Sequence, residues 1–271
     1  MSGTVRVVRV IAFCSIVTAG AAFGQAAPEQ APPVLAVSGA PSGASVEILV
    51  ERHLAARGGR NVLGAVRSVR MQGTIELHAG LETLSAPVTL QLLPQEHKAR
   101  LETTLGGARA VTIYDGKRAW RQSAGEPFVE LQGEGLSTIA RTAEFAGLLF
   151  DAAAHGRTIE SLGMTTVRGA PAFSLKVTDP ALGAWKVLLA ADTALEIAEQ
   201  RLDAAGRSIA QTQLVDFRKV DGVVIPYGVE SATVTGNPGG TAAIWTVAAW
   251  EKVEFGVALA AADFEVQGGG K

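Results

Sequence analysis

One cysteine, two tyrosines and three methionines in 271 residues leave this chain little soft or nucleophilic side-chain chemistry. The cysteine, Cys14, lies in the N-terminal apolar run, so the remainder of the chain has none. Disulfides, thiolate nucleophiles and cysteine-based metal sites are thereby excluded from the body of the protein. Ile11-Ala12-Phe13 before Cys14 is not the small-residue sequence that precedes a lipid-modified cysteine. No excess of positive charge exists either: the formal net charge is -2, and nucleic acid is not an expected partner. No stretch is apolar over the ~20 residues a membrane helix needs, so only transient membrane contact is expected.

Catalytic and cofactor signatures are missing as well. The chain has no G-x-S-x-G, H-E-x-x-H or Walker loop, and Gly133-Glu134-Gly135 lacks the third glycine of a dinucleotide site. His53, His78, His97 and His155 have no metal-ligand spacing. His53 falls on an apolar helix stripe and reads as a core or boundary histidine, and His78 and His97 read as surface residues. No metal, no cofactor and no enzymatic activity are expected. A hydrolytic site would require a carboxylate pair meeting across strands, such as Glu76 with Glu102 or Asp216.

What is present begins with an export signal. Arg6 and Arg9 precede the apolar run Val10–Ala22, which ends in small residues with a cleavage point after Gly24. Residues 1–24 are thus expected to be a removed signal peptide and the mature chain to be periplasmic. Without Arg6 and Arg9 it carries 22 basic and 26 acidic residues, a formal charge of -4. Residues 25–44, with Pro28, Pro32, Pro33 and Pro41, read as a linker, 45–267 as one domain, and 268–271 as a frayed tail.

Within the domain, Ser45 caps a helix over Val46–Arg57 that Gly58-Gly59 closes, and a short turn spans Asn61–Val66. The period then changes from 3.6 to 2. Val69, Met71, Gly73, Ile75 and Leu77 alternate with polar residues, giving a strand with one dry face. Further strands are predicted over Leu84–Leu92, Lys98–Thr104, Ala108–Tyr114, Arg118–Gln122 and Phe128–Leu131. A helix is predicted from Gly135 to about Ala154, its second half apolar on two sides. Strands resume over Thr158–Leu162, Thr165–Arg168, Ala172–Thr178, Trp185–Ala191, Leu195–Leu202, Ser208–Val220, Val224–Thr235 and Thr241–Phe255, with the last hairpin turning at Asn237-Pro238-Gly239-Gly240. Short connections favour antiparallel neighbours. The fold class is mostly β with α: one large curved antiparallel sheet with helices over its concave side. Each of Trp120, Trp185, Trp245 and Trp250 reads first as core packing. So wide a sheet with so few helices, however, leaves room for a concave apolar cavity.

The run Val50–Gly59, then Leu63–Val69 leading into Arg70-Met71-Gln72-Gly73, resembles the opening of bacterial envelope proteins with the LolA/LolB-type lipoprotein-carrier fold. Tyr114–Trp120 and Phe217–Pro226 are similar to that fold's middle and late hairpins. The resemblance implies an unclosed β-barrel with helices plugging its concave side, which shelters acyl chains of lipids or lipoproteins. In the carrier proper an arginine on an early strand holds the lid closed. Arg70 and Arg100 are nearest by strand position, and no local motif assigns the role to either. The expected cavity is walled by Met71, Ile75 and Leu77 and lidded by Ile139, Phe145, Leu148, Leu149 and Phe150. A monomeric periplasmic carrier or sensor of acyl chains is the first expectation. The alternative is a module with a filled barrel that binds envelope proteins and no ligand.

Overall fold

A computed structural model describes residues 44–79, 82–233 and 244–266. The expected signal peptide, linker, C-terminal tail and the turn at 237–240 lie outside the described residues. Helix α1 (Val46–Ala56) starts where Ser45 Oγ accepts the amide of Ile48, and α2 (Arg60–Ala65) follows after Gly58-Gly59. Then come β1 (Val69–Ala79), β2 (Glu82–Leu93), β3 (Lys98–Leu105), β4 (Ala108–Tyr114), β5 (Ala119–Gln122) and β6 (Val129–Leu131). Helix α3 (Gly133–Ala143) and a run of turns lead to β7 (Thr158–Val167), β8 (Ala170–Asp179), β9 (Gly183–Ala190) and β10 (Glu196–Leu202). The chain closes with β11 (Ser208–Val220), β12 (Val223–Thr233) and β13 (Ile244–Phe255).

All thirteen strands form one sheet, in the order β6-β5-β4-β3-β2-β1-β13-β12-β11-β10-β9-β8-β7. Two meanders are therefore joined through β1 and β13, and β6 and β7 are free edges that do not pair with each other. The barrel is unclosed. The sheet is nonetheless tightly curved. Six strand spacings separate β3 from β10, about 29 Å on a flat sheet. Yet α3, a cylinder of about 10–12 Å, packs on β3, β4 and β5 while its Arg141 bonds Glu199 of β10. Only a trough allows one helix to meet both walls.

The period-2 pattern of β1 is realised. Val69, Met71, Ile75 and Leu77 are buried on the helix-bearing face, and Gln72 and Glu76 point outward. Gly73 marks a bulge where a Cβ would lie 2.0 Å from the Ala249 carbonyl oxygen, so only glycine lets β13 approach.

Two readings of the sequence need correction. The helix expected from Gly135 ends at Ala143, not near Ala154. Glu144 leaves helical geometry, and positive φ at Gly147 (86°) and Asp151 (45°) turns the chain repeatedly up to β7. Thr158–Leu162 and Thr165–Arg168 are one strand, because the register shift at Gly163 absorbs the break in alternation. A further element escaped the pattern. After β13 the chain returns over the outer face, where Arg100 Nη1 donates to the Asp263 carbonyl at 2.7 Å and Phe264 is fully buried.

Candidate functional site

The site is built where the turns after α3 enter the trough. Leu148 and Leu149, on residues with no helix to hold them, are 0% and 1% exposed. They join one apolar cluster with Met71, Ile75 and Ile139, and Phe145 and Phe150 pack against it half-buried. Leu77 is buried further along β1, outside that cluster. Seven of the eight expected residues thus belong to the one large core cluster.

What holds this segment is polar. Arg57, at the C-terminal end of α1, donates from Nη2 to the Phe145 carbonyl, from Nη1 to that of Ala146, both at 3.2 Å, and from Nε to that of Val224. Burial pushes its guanidinium down to about 10, opposed by nearby Glu196. Arg70 and Arg100 take no part. Both alternate outward, and Arg100 is occupied by Glu102 and Asp263. Nothing in the strand pattern pointed to Arg57, which follows the helix as its C-cap residue; only the close pairing of α1 with the turns identifies it.

Further along, Arg157 donates to Asp179 at 2.6 Å, to Glu144 at 2.7 Å and to the Leu148 carbonyl. Burial pushes the Asp179 carboxyl up, but the bonds from Arg157 and from the amides of Leu182 and Ala181 outweigh it and hold it below its ordinary range. Glu144 also pairs with His97 at 2.9 Å, and His97 meets His155 edge-on at 5.3 Å. Glu144, His97 and His155 rim a cavity of about 140 Å³ whose apolar wall includes Leu63, Val66, Phe145 and Phe150. That volume admits roughly a benzene ring, well short of a pocket for a long chain. A second void of about 30 Å³ lies between α3 and β3, β4 and β6.

Under α3 the inner face turns ionic. Arg141 donates from Nε and Nη2 to one oxygen of Glu199, at 2.9 and 2.6 Å, and lies 3.6 Å from Glu196. His53 is fully buried, bonded through Nδ1 to the Ala194 carbonyl and pushed down to about 4, by burial first and by Arg57 second. It is a core histidine. His78 is less exposed than expected, stacked on Trp245 at 3.7 Å. The carboxylate pairs considered for hydrolysis do not form: Glu76 faces Ser85 and Val247, Glu102 faces Thr89 and Val111, and Asp216 pairs with Arg218. Trp185 and Trp250 pack in the inner core, and Trp120 is buried on the outer face beneath Arg118. Among the described residues no group of three histidine, cysteine or acidic side chains is arranged to hold a metal, and no helix is long and apolar enough to cross a membrane.

No family model and no curated protein matches the chain. Solved structures do. A DUF1329 family protein from Desulfovibrio piger aligns at a TM-score of 0.55 and 12% identity, over 81% of this chain and 97% of that one. A putative outer membrane lipoprotein-sorting protein domain from Vibrio parahaemolyticus aligns at 0.55 and 10%, over 80% and 94%. A LolA superfamily protein from Nitrosomonas europaea aligns at 0.55 and 11%, over 83% and 99%. At such identities the likeness is one of fold, and the fold is LolA-like.

Proposed function

We propose that this chain is a periplasmic carrier or sensor that takes an acyl chain, of a lipid or a lipoprotein, between its helices and the concave face of its sheet. The observation that carries this reading is the segment after α3. It buries two leucines in the mouth of an open trough without regular structure, fastened by arginine bonds to carbonyls and carboxylates. A plug without regular structure can leave as a unit, and an apolar occupant would take over the contacts of its two leucines. Displaced, it would uncover apolar surface of the core cluster to which Met71, Ile75 and Ile139 belong. Each methylene buried there contributes about 0.8 kcal/mol. The fold shared with a putative lipoprotein-sorting domain supports the same reading.

The filled core favours one rival, a module that keeps its barrel closed and binds an envelope protein. Titration with a fluorescent acyl probe separates them. The carrier reading expects saturable binding that Phe145→Ser with Leu149→Ser weakens at least about tenfold while circular dichroism is unchanged. Binding unaffected by the two changes removes this segment from the account, and no binding at all favours the module.

A further inference from the structure

Strict alternation along β10 would put Glu196 and Glu199 on opposite faces. A bulge at Ile197 prevents this: Glu196 pairs with Leu189 and Ala198 with Leu188, leaving one residue extra. Bulges re-aim side chains, and this one turns Glu196 to the inner face beside Glu199. Both are more than nine-tenths buried, 4% and 8% exposed. Both crowd the same guanidinium nitrogen, Arg141 Nη2, at 3.6 Å from Glu196 and 2.6 Å from Glu199, and Glu196 Oε1 is a buried oxygen with no hydrogen-bond partner. Two carboxyls held out of water around one cation repel each other when both are ionised, which favours a proton on one of them.

The pair sits where α1, α3 and the turns after α3 converge. Arg141 of α3 bonds Glu199, and Gly147 of the following turns packs between Arg57 and Glu196. Arg57 and His53 face the cluster from α1, and Glu144 acts on Arg141 from beyond α3. The neighbouring strands contribute only Val187, Leu189 and Thr212, all uncharged.

We propose that Glu196 and Glu199 share one proton in the closed form, and that its loss loosens α3 and the turns behind it from β10, making the opening of the barrel proton-linked. That opening serves ligand uptake rests on the carrier reading above. Burial, with Glu196 adding to it and Arg141 opposing it, pushes Glu199 up to about 7. Once opened to water the carboxyl returns to its ordinary value near 4.5. The closed form's advantage is therefore complete below about 4.5 and lost as the pH rises through about 7. His53, down near 4, stays neutral throughout.

The test uses the full chain with Cys14→Ser and Leu149→Cys, whose one thiol is buried until the segment opens. Its labelling rate is divided by that of the unfolded chain at each pH, which cancels thiol ionisation. Between pH 5.5 and 7.5 the ratio is expected to rise, by at most about tenfold per pH unit. Glu199→Gln and Glu196→Gln should flatten the profile, and His97→Asn, which removes the histidine paired with Glu144, should preserve it. A pH slope that survives Glu199→Gln, or vanishes with His97→Asn, overturns the proposal. Should the glutamine variants not fold, ¹³C titration of the wild-type carboxyls decides: a midpoint for the pair near 7 supports it and ordinary midpoints for both overturn it. No lipid enters either readout, so a failure here and a failure of acyl binding are told apart.

Discussion

At the scale of single residues, Arg57 carries most of the closed state's geometry. It is a buried cation whose bonds run to three carbonyls rather than to a carboxylate, so its loss orphans Phe145, Ala146 and Val224 together. Arg57→Met is expected to raise hydrogen exchange across residues 144–150 by the equivalent of about 1–3 kcal/mol, with β1 and β2 unchanged; exchange mass spectrometry measures this. Gly73 has a different constraint. Gly73→Ala drives a Cβ into the Ala249 carbonyl, and a loss on the order of 3 kcal/mol in denaturant unfolding is expected. Neither residue's role was visible in the sequence. Met71, Ile75 and Ile139 were readable because their periodicity is that of regular elements. Arg57 acts through a contact with residues far along the chain, and Glu196 reaches the inner face through a bulge that alternation cannot foresee.

Among the elements, the strands were the most legible, since a sheet with one dry face writes itself as period 2. The helix expected from Gly135 to Ala154 was half right. Its apolar residues continue past Ala143, but Gly147 and Asp151 at positive φ turn the backbone, and burial of Leu148 and Leu149 comes from tertiary packing alone. The segment misread as helix, whose residues were already expected to form the lid, is the one on which the proposed function depends. The C-terminal return over β3 was equally silent, because a short 3-10 turn at Ala261–Phe264 has no periodicity to detect. It matters to stability all the same: Phe264 is fully buried, and Phe264→Ala is expected to cost about 3–5 kcal/mol. The loss should appear as a lower unfolding midpoint without change in acyl-probe affinity, since this element lies on the face opposite the helices.

For the whole molecule, two sets of carboxyls give stability a direction with pH. Asp179, held below its ordinary range by Arg157, stabilises the closed fold above about 4, and that contribution disappears on acidification through its lowered value. Glu199, pushed the other way, contributes fully below about 4.5 and ceases to do so as pH passes about 7. His53, held near 4 against an ordinary 6.5, gains stability over most of the window in which Glu199 loses it, so the melting temperature is expected to fall below pH 4, to change little between about 4.5 and 6.5, and to rise with pH across that plateau in Glu199→Gln. Calorimetry across pH 3–8 measures this.

The same closed, filled trough is consistent with a resting carrier and with a partner-binding module, and only cargo distinguishes them. The decisive measurement is gentle purification of the native protein from the cell envelope, organic extraction, and mass spectrometry of the extract. The account predicts an acyl-bearing lipid or peptide in stoichiometric amount. A stable protein that yields none, and takes up none when offered, would contradict it.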